Sequence, residues 1–552
     1  MSVASLAPLA YTAVNQHPVQ TYFNLVAQGA FSQESLADYI VAGVQHGFLN
    51  HFFMPPTGFH YKQNYKSARD SHSQVSTSLR KRLQSGQTLG PFDWDHHLPP
   101  SVRALCVDPL GSVPYKLEPD RGRPIQDPAA NDFIFAPYFP MHSFQLIRHW
   151  STPGCWYGLQ DVEGAFPCLP LHHSMWPFFC FAWYNLNDQP EHPSREDFQR
   201  FLYINATGLF GPRDIPYIWT MYMLLVSIIM VSLGIQLTAP YLDDVTHCHD
   251  FFHETGWALD RTGELLVTLG TPEKAIKRVG PFQKGVILGR EFNSRAFTVA
   301  VPGDKLSRFT AMLRTMLARR STQVRNLRSM LGLSAFIASV LDPVFGVFIN
   351  AFLDMARAVP AETKAWRYLT LTSRARRSGS ALLRALPFIN RTVSINPTLS
   401  FQRARPVYTD SCGGRTAGWG YAGPLHFRAG LFSSNLRRRP ICLLELLAVL
   451  EAVRDHARHW QGCIVPIYID NTVVLGWLRR HRAFSAHADT VRRADAALYE
   501  IFSLALTFGF ILEPHYIASA ENIMADALSR YDFPRFTSAY LAHYPLNAPR
   551  SA

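Results

Sequence analysis

A chain of 552 residues is too long for one ordinary domain and implies two to four. Its 47% hydrophobic and 17% charged residues suit folded globular domains and argue against disorder. A net charge of +12 points to an anionic partner, nucleic acid first and an acidic membrane surface second.

Residues 1–90 are weakly patterned and read as an N-terminal extension of unknown role, without the basic-then-apolar pattern of a signal peptide. Ser32 to Val44 is predicted as a partly capped helix. The basic, Ser-rich run from Ser67 to Gln87 reads as a linker or arm. Strands and tight turns follow from Leu105 to Ile134, carrying Lys116, Arg121 and Arg123. A strand is predicted to end at Asp161, with a turn or short helix bringing Phe166 back. No charged side chain lies between Asp214 and Asp243, and Trp219 to Ile235 is almost wholly apolar. That run is long enough to cross a membrane. Pro216, Gly234, Gln236 and Pro240 punctuate it, which favours a helix and strand buried beneath a site. It leads into Tyr241-Leu242-Asp243-Asp244, predicted as a tight turn between short strands with both acids at its tip.

Leu259 to Phe292 reads as a helix, a break at Gly280-Pro281, and a strand through Leu288-Gly289. Residues 305–359 are helical by the spacing of Leu306, Phe309, Leu313 and Leu317 and then Leu327, Leu331 and Leu333. Arg308, Arg314, Arg319, Arg320, Arg325 and Arg328 are interleaved there, as a solvated face or as a pair of helices tracking a phosphate backbone. Arg367 to Arg384 reads as a basic connector. A second α/β unit begins near Arg405. Strands are predicted to end at Asp410 and Asp470, helices carry Glu445 and Asp526, and Gly413, Gly414, Gly418 and Gly420 are assigned to hairpin turns. Eight scattered cysteines without Cys-x-x-Cys exclude a disulfide framework and a zinc knuckle. They suit a reducing intracellular compartment, nucleus or cytoplasm.

Two sets of acids carry the chemistry. Asp161, Asp243 and Asp244 sit at predicted strand ends that two neighbouring strands would bring together. Adjacent carboxylates repel unless a cation sits between them, and hard divalent ions take oxygen ligands. Two Mg²⁺ or Mn²⁺ ions held there would suit phosphoryl transfer. Asp410, Glu445, Asp470 and Asp526, from two strand ends and two helices, would suit a second two-metal centre that hydrolyses a phosphodiester. Scattered surface acids are the plain alternative. The mostly apolar neighbours of the second set argue against that, because a buried acid is costly unless partnered.

The motifs resemble those of the reverse transcriptase–ribonuclease H proteins of retroelements, most of all the DIRS-type elements with a tyrosine recombinase. The resemblance covers roughly residues 105–535. It rests on Tyr241-Leu242-Asp243-Asp244, the run from Gln160-Asp161 to Phe166, Tyr408-Thr409-Asp410-Ser411, Leu444-Glu445-Leu446-Leu447-Ala448-Val449 and the run from Asn522 through Asp526 to Arg530. It implies an α/β fold, a right-hand polymerase followed by a ribonuclease H-like domain. By it, residues 91–300 would be fingers and palm, 301–400 helical thumb and connection, 401–535 the ribonuclease H-like domain and 536–552 a tail. Asp161, Asp243 and Asp244 would ligate the polymerase metals, and Asp410, Glu445, Asp470 and Asp526 those of the nuclease, two ions per site. Phe166 would be the gate that selects dNTPs. Lys116 and Arg123, with Arg121 as rival, would meet the triphosphate. Phe210 and Gly211 would bind template and nucleotide, and Leu288-Gly289 would lie at the primer grip. Lys277, with Lys274 as rival, would assist pyrophosphate departure. The partners implied are an RNA template, a DNA primer, the RNA–DNA hybrid and dNTPs, with no membrane. Leu209-Phe210-Gly211-Pro212 departs from the family's usual Leu-Pro-Phe-Gly-Leu. A catalytically inactive, domesticated or decayed element product that binds nucleic acid is the rival from another class.

Overall fold

The computed structural model describes residues 34–54, 56–93, 104–114, 122–135, 143–188, 190–341, 345–360, 363–396, 401–414, 416–424 and 426–544. The chain forms two compact units, Met1–Gln283 and Lys284–Ala552.

In the first unit a five-stranded sheet runs in the order Gly58–Tyr61, Ala104–Val107, Cys180–Trp183, Phe201–Asn205 and Thr88–Asp93. One of these strands, and the start of Thr88–Asp93, come from the segment read as an extension. The Ser67–Gln87 run is not a linker: His72–Gln84 is a helix whose Val75, Ser76 and Leu79 are buried in a cluster with Trp183, Tyr184 and Tyr203. Two apolar residues four apart suffice to anchor it. Ser76 Oγ accepts a hydrogen bond from Trp183 Nε1 at 2.9 Å, so the Ser-rich composition conceals a packed face.

The site-bearing sheet comprises β1 (Trp156–Asp161), α1 (Ile215–Ser232), β2 (Thr238–Tyr241), β3 (Asp244–His249), α2 (Phe252–Thr268) and β4 (Val279–Phe282). Its strands are antiparallel, in the order β4-β1-β3-β2. The charge-free run is α1. Pro216 sits in its first turn, where the missing N–H costs nothing. Gly234, at φ 84°, closes it in the left-handed conformation, with Ile235 N–H donating to Met230 O at 2.8 Å. Among the described residues it is the one helix long and apolar enough to cross a membrane. Ile215, Ile218, Trp219, Tyr222, Met223, Leu225, Val226, Ile229 and Met230 are buried in the core of the first unit. Helix α2 starts earlier than the periodicity indicates, at Phe252.

In the second unit Leu288 and Gly289, both at positive φ, form a two-residue turn between strands Lys284–Ile287 and Arg290–Asn293, so the strand stops one residue before Leu288. Four helices follow: α3 (Gly303–Arg319), α4 (Val324–Leu341), α5 (Gly346–Arg357) and α6 (Ser373–Ala385). The six arginines of α3, α4 and their junction are all exposed. The stretch read as a connector contains α6, whose Thr372 Oγ1 caps Ala375 N–H at 3.1 Å. Its buried face is small, Ala375, Ser378, Gly379 and Leu382. A Cβ on Gly379 would stand 3.1 Å from both Leu317 and Phe352. Close approach rather than bulk buries this helix, which is why its composition looks unstructured.

The remaining elements are β5 (Val407–Ser411), β6 (Gly418–Ala422), β7 (Phe427–Leu431), α7 (Ile441–His456), β8 (Cys463–Ile469), α8 (Thr472–Arg480), α9 (Ala488–Phe508), β9 (Ile511–Tyr516), α10 (Ile523–Ser529) and α11 (Phe533–His543). Three antiparallel strands, β5 to β7, are extended by β8 and β9, each parallel to its neighbour, in the order β7-β6-β5-β8-β9, and the short strand Gln402–Arg403 also pairs in parallel with β8 as the sixth. The chain thus combines a four-stranded antiparallel sheet in the first unit with a mixed parallel and antiparallel sheet in the second, a mixed α/β fold. Gly418 and Gly420 lie inside β6 rather than in a turn. A Cβ on Gly420 would stand 2.5 Å from Leu528 Cβ, so the glycine lets α10 lie directly on the sheet. The segment read as a tail begins within α11, whose Phe536 is buried.

Candidate active sites

The first site is built by register. Asp244, the first residue of β3, pairs with Asp161, the last of β1, and with Tyr241 of β2. Between β2 and β3 the chain turns in two residues, with Leu242 at φ 52°. Trp219 Nε1 of α1 donates to Leu242 O at 2.9 Å, so the apolar helix holds the turn in place. Asp243 O in turn accepts from Val162 N–H at 2.8 Å. Like charges directly opposite across a sheet repel. Here Lys277 supplies the counter-charge, donating its Nζ–H to Asp161 Oδ2. Lys274 meets Asp161 differently, through its backbone N–H to Asp161 O at 2.7 Å. Desolvation, with the charges of Asp243 and Asp161, pushes Asp244 up to about 6, against the opposing pull of Lys277. Asp244 is the most exposed of the three, so water screens part of that push. Burial also raises Asp243, and Asp161 adds to it.

Beneath these acids lies a buried polar chain that the sequence reading missed. His247 bridges Thr238 Oγ1 at 3.0 Å and Gln160 Oε1 at 2.9 Å. Gln160 Nε2 donates to Leu259 O and to Glu273, and Glu273 is paired with Arg278 at 3.0 Å. Burial drives the His247 pKa down to about 3, so the ring is neutral. The signal available was polar residues at the centre of two strands, Gln160 and His247.

Phe166 is buried and lies 4.7 Å, centroid to centroid, from the exposed ring of Phe210. The loop at Phe210 is held by Asn131, whose Nδ2 donates to Gly211 O and whose Oδ1 accepts from Arg213 N–H, both at 2.9 Å. Gly211 has φ 138°, and a Cβ there would stand 2.8 Å from Gln126 O. Lys116 and Arg121 lie outside the described residues. Of Arg123 only the backbone is described, paired with Val113.

The second site is tighter. Strands β5 and β8 run parallel with Val407 opposite Ile467 and Tyr408 opposite Tyr468. The same offset carries Asp410 to the level of Asp470 at the strands' C-terminal ends, where ligands of α/β sheets bind. Glu445 reaches in from α7. One carboxylate oxygen from each of Asp410, Glu445 and Asp470 lies within 4.8 Å of the others, the one such group among the described residues. Asp161, Asp243 and Asp244 do not gather this closely. Asp410 and Glu445 are buried. Desolvation and the neighbouring Asp470 and Asp526 charges push Asp410 up to about 7, against a hydrogen bond from Ser529. Desolvation, then Asp410 and Asp470, push Glu445 up to about 9. Glu445 Oε2 is buried without a hydrogen-bond partner. Three convergent carboxylates and an orphaned oxygen fit a hard divalent cation. Asp526 stands apart: Arg530 Nε and Arg535 Nη1 hold its two oxygens at 2.7 and 2.6 Å. Two further residues escaped the sequence reading. Ser529 Oγ donates to Asp410 Oδ2 at 2.6 Å, and Arg535 comes from α11, at the very end of the predicted ribonuclease H-like segment. Ser529 follows Asp526 by three residues, one helical turn, which was the signal for it.

These two sites define an α/β protein with acids at strand ends in each of two units. No protein-family profile and no curated protein matches the chain. Among solved structures it is similar to the foamy viral protease-reverse transcriptase in complex with an RNA/DNA hybrid, at 14% identity and TM-score 0.43. That match covers 91% of this chain and 63% of the other, so the chain spans less than two thirds of that protein's length. The foamy viral protease-reverse transcriptase dRH in complex with double-stranded DNA gives 13% identity and TM-score 0.44 over 91% and 82% of the two chains. The foamy viral protease-reverse transcriptase in complex with double-stranded DNA gives the same identity and score over 91% and 98%. Identities and scores of this size do not define a family.

Proposed function

We propose that the chain is an RNA-directed DNA polymerase of a retroelement with ribonuclease H activity. The observation that carries this is the pair of carboxylate centres, one on an antiparallel palm-like sheet and one on a ribonuclease H-like sheet. The DIRS-type assignment rests on the sequence motifs alone. In the first unit Asp161, Asp243 and Asp244 would hold divalent cations, Phe166 would limit the nucleotide sugar, and Lys277 would donate a proton or charge toward departing pyrophosphate. In the second, Asp410, Glu445 and Asp470 would hold the cations, with Ser529 orienting Asp410. Mg²⁺ or Mn²⁺, when bound, would supply Lewis acidity to the phosphate under attack. RNA template, DNA primer, hybrid and dNTPs are the substrates of this reading. Primer extension on poly(rA)/oligo(dT) tests it: wild type extends, and Asp243→Asn/Asp244→Asn does not. Equal incorporation by the two ends the polymerase assignment.

A second reading, a nucleic-acid-binding protein without polymerase activity, is favoured by one observation. Lys277 already neutralises Asp161, and the three palm acids do not converge. A wild-type protein that binds the primed template but incorporates nothing with Mg²⁺ or Mn²⁺ would select it.

A further inference from the structure

A cleft of about 990 Å³ opens in the second unit between the end of α3, helix α6 and the outer stripe of α9. Arg320, Arg376, Arg377, Arg384 and Arg492 line it, and Glu500 is its one acid. Glu500 is already spent, because Arg454 of α7 holds both its oxygens at 2.6 and 2.8 Å. Arg492 leans on Asp489. Among the described residues Arg320, Arg376, Arg377 and Arg384 form no ion pair and no side-chain hydrogen bond, and Arg376 Nε is buried without a partner. A buried, unpaired donor is costly, and a fork of guanidinium donors matches a phosphate. Phe388, 69% exposed, stands at the rim. The lining shares no residue with either acid centre.

We propose that this cleft binds single-stranded nucleic acid, its arginines on successive phosphates and Phe388 stacked on an unpaired base. Positive grooves with an exposed aromatic platform hold single strands in this way. A duplex offers phosphates but keeps its base faces stacked, and an acidic peptide would occupy the arginines while leaving Phe388 bare. The site is read by binding alone, so it stands or falls separately from catalysis at the acids.

The test is fluorescence anisotropy of the full chain with a fluorescein-labelled oligo(dT) 20-mer over a salt series. Arg377→Glu/Arg384→Glu changes two exposed residues. It is expected to weaken binding tenfold or more and to flatten the salt dependence by about 0.7 per lost phosphate contact. Phe388→Ala is expected to weaken binding severalfold with the salt slope unchanged. A charge-matched control on exposed lysines of the first unit, Lys62→Glu/Lys66→Glu, is expected to leave affinity within twofold. Unchanged affinity in the arginine variant overturns the proposal. So does an equal loss in the lysine control, an equal loss on a blunt 20-bp duplex, or displacement of the oligonucleotide by poly-glutamate as readily as by oligo(dT). If the arginine variant does not fold, an unchanged affinity in Phe388→Ala overturns it instead.

Discussion

At the end of β1, Asp161 carries its own counter-charge, Lys277, whereas in the second unit Asp410 and Glu445 converge on each other and on Asp470, with Ser529 donating its hydroxyl to Asp410. Both arrangements answer one problem, several carboxylates at the edge of a sheet. The first spreads three acids around a two-residue turn and neutralises one with an ammonium group. The second compresses three acids within 4.8 Å and leaves protonation or a cation to balance them. The pKa shifts follow. Asp244 is held near 6 with Lys277 pulling against its neighbours, while Asp410 and Glu445 climb to about 7 and about 9. On the proposed reading the second centre is already arranged for a cation, whereas the first would have to exchange a lysine for one.

The largest expected effect breaks the second centre alone. Asp470→Asn should reduce cleavage of RNA in a hybrid by about a thousandfold or more, roughly 4 kcal/mol of transition-state stabilisation. Gel analysis of end-labelled RNA reads it. Next, Lys277→Met removes the counter-charge of the first centre. Asp161 is buried and Lys277 half exposed, so the loss should lie between that of a surface pair and a buried one, about 1–2 kcal/mol in metal-free unfolding. In an Asp470→Asn background the same change should tighten Mn²⁺ binding, read by calorimetric titration. Asp526→Asn should cost cleavage less than about tenfold, because Arg530 and Arg535 already occupy that carboxylate. A loss matching that of Asp470→Asn would place Asp526 among the working acids after all.

The smallest expected effect is on pH dependence. Asp410 and Glu445 have folded pKa values raised above their unfolded values near 4. The folded state therefore binds the extra protons. Their contribution to metal-free stability is complete below about pH 4 and is lost as pH rises through about 7 and then about 9. A cation displaces those protons, so the rise in melting temperature on adding Mg²⁺ should grow between pH 6 and pH 9. Scanning fluorimetry would read it at about 2–4 °C per kcal/mol.

The acids stood out in the sequence because each lies beside or at the end of an apolar strand, or in a helix embedded in apolar sequence. Asp161 ends a strand, Asp410 lies near the end of one, Asp470 directly follows one and Glu445 sits in a helix, as the patterns indicated, while Asp243 lies in the turn and Asp244 opens the next strand. What stayed hidden is packing that composition disguises. Helix His72–Gln84 buries two apolar residues in a Ser-rich run, and α6 is buried through alanine, serine and glycine. Register was also out of reach. That Asp244 lies opposite Asp161 follows from strand order, which spacing alone does not fix. Nor do long-range partners follow from local sequence: Arg535 on Asp526 and His247 on Gln160 join residues on separate elements.

On the proposed reading the two carboxylate centres run two separable reactions. One reaction mixture tests it most directly: a 5′-labelled RNA template annealed to a differently labelled DNA primer, with dNTPs and Mg²⁺, read on both strands. Wild type should extend the primer and shorten the RNA. Asp243→Asn/Asp244→Asn should shorten the RNA without extension, and Asp470→Asn should extend without shortening. Loss of both signals in either variant, with its fold intact, or retention of both in either, contradicts the account.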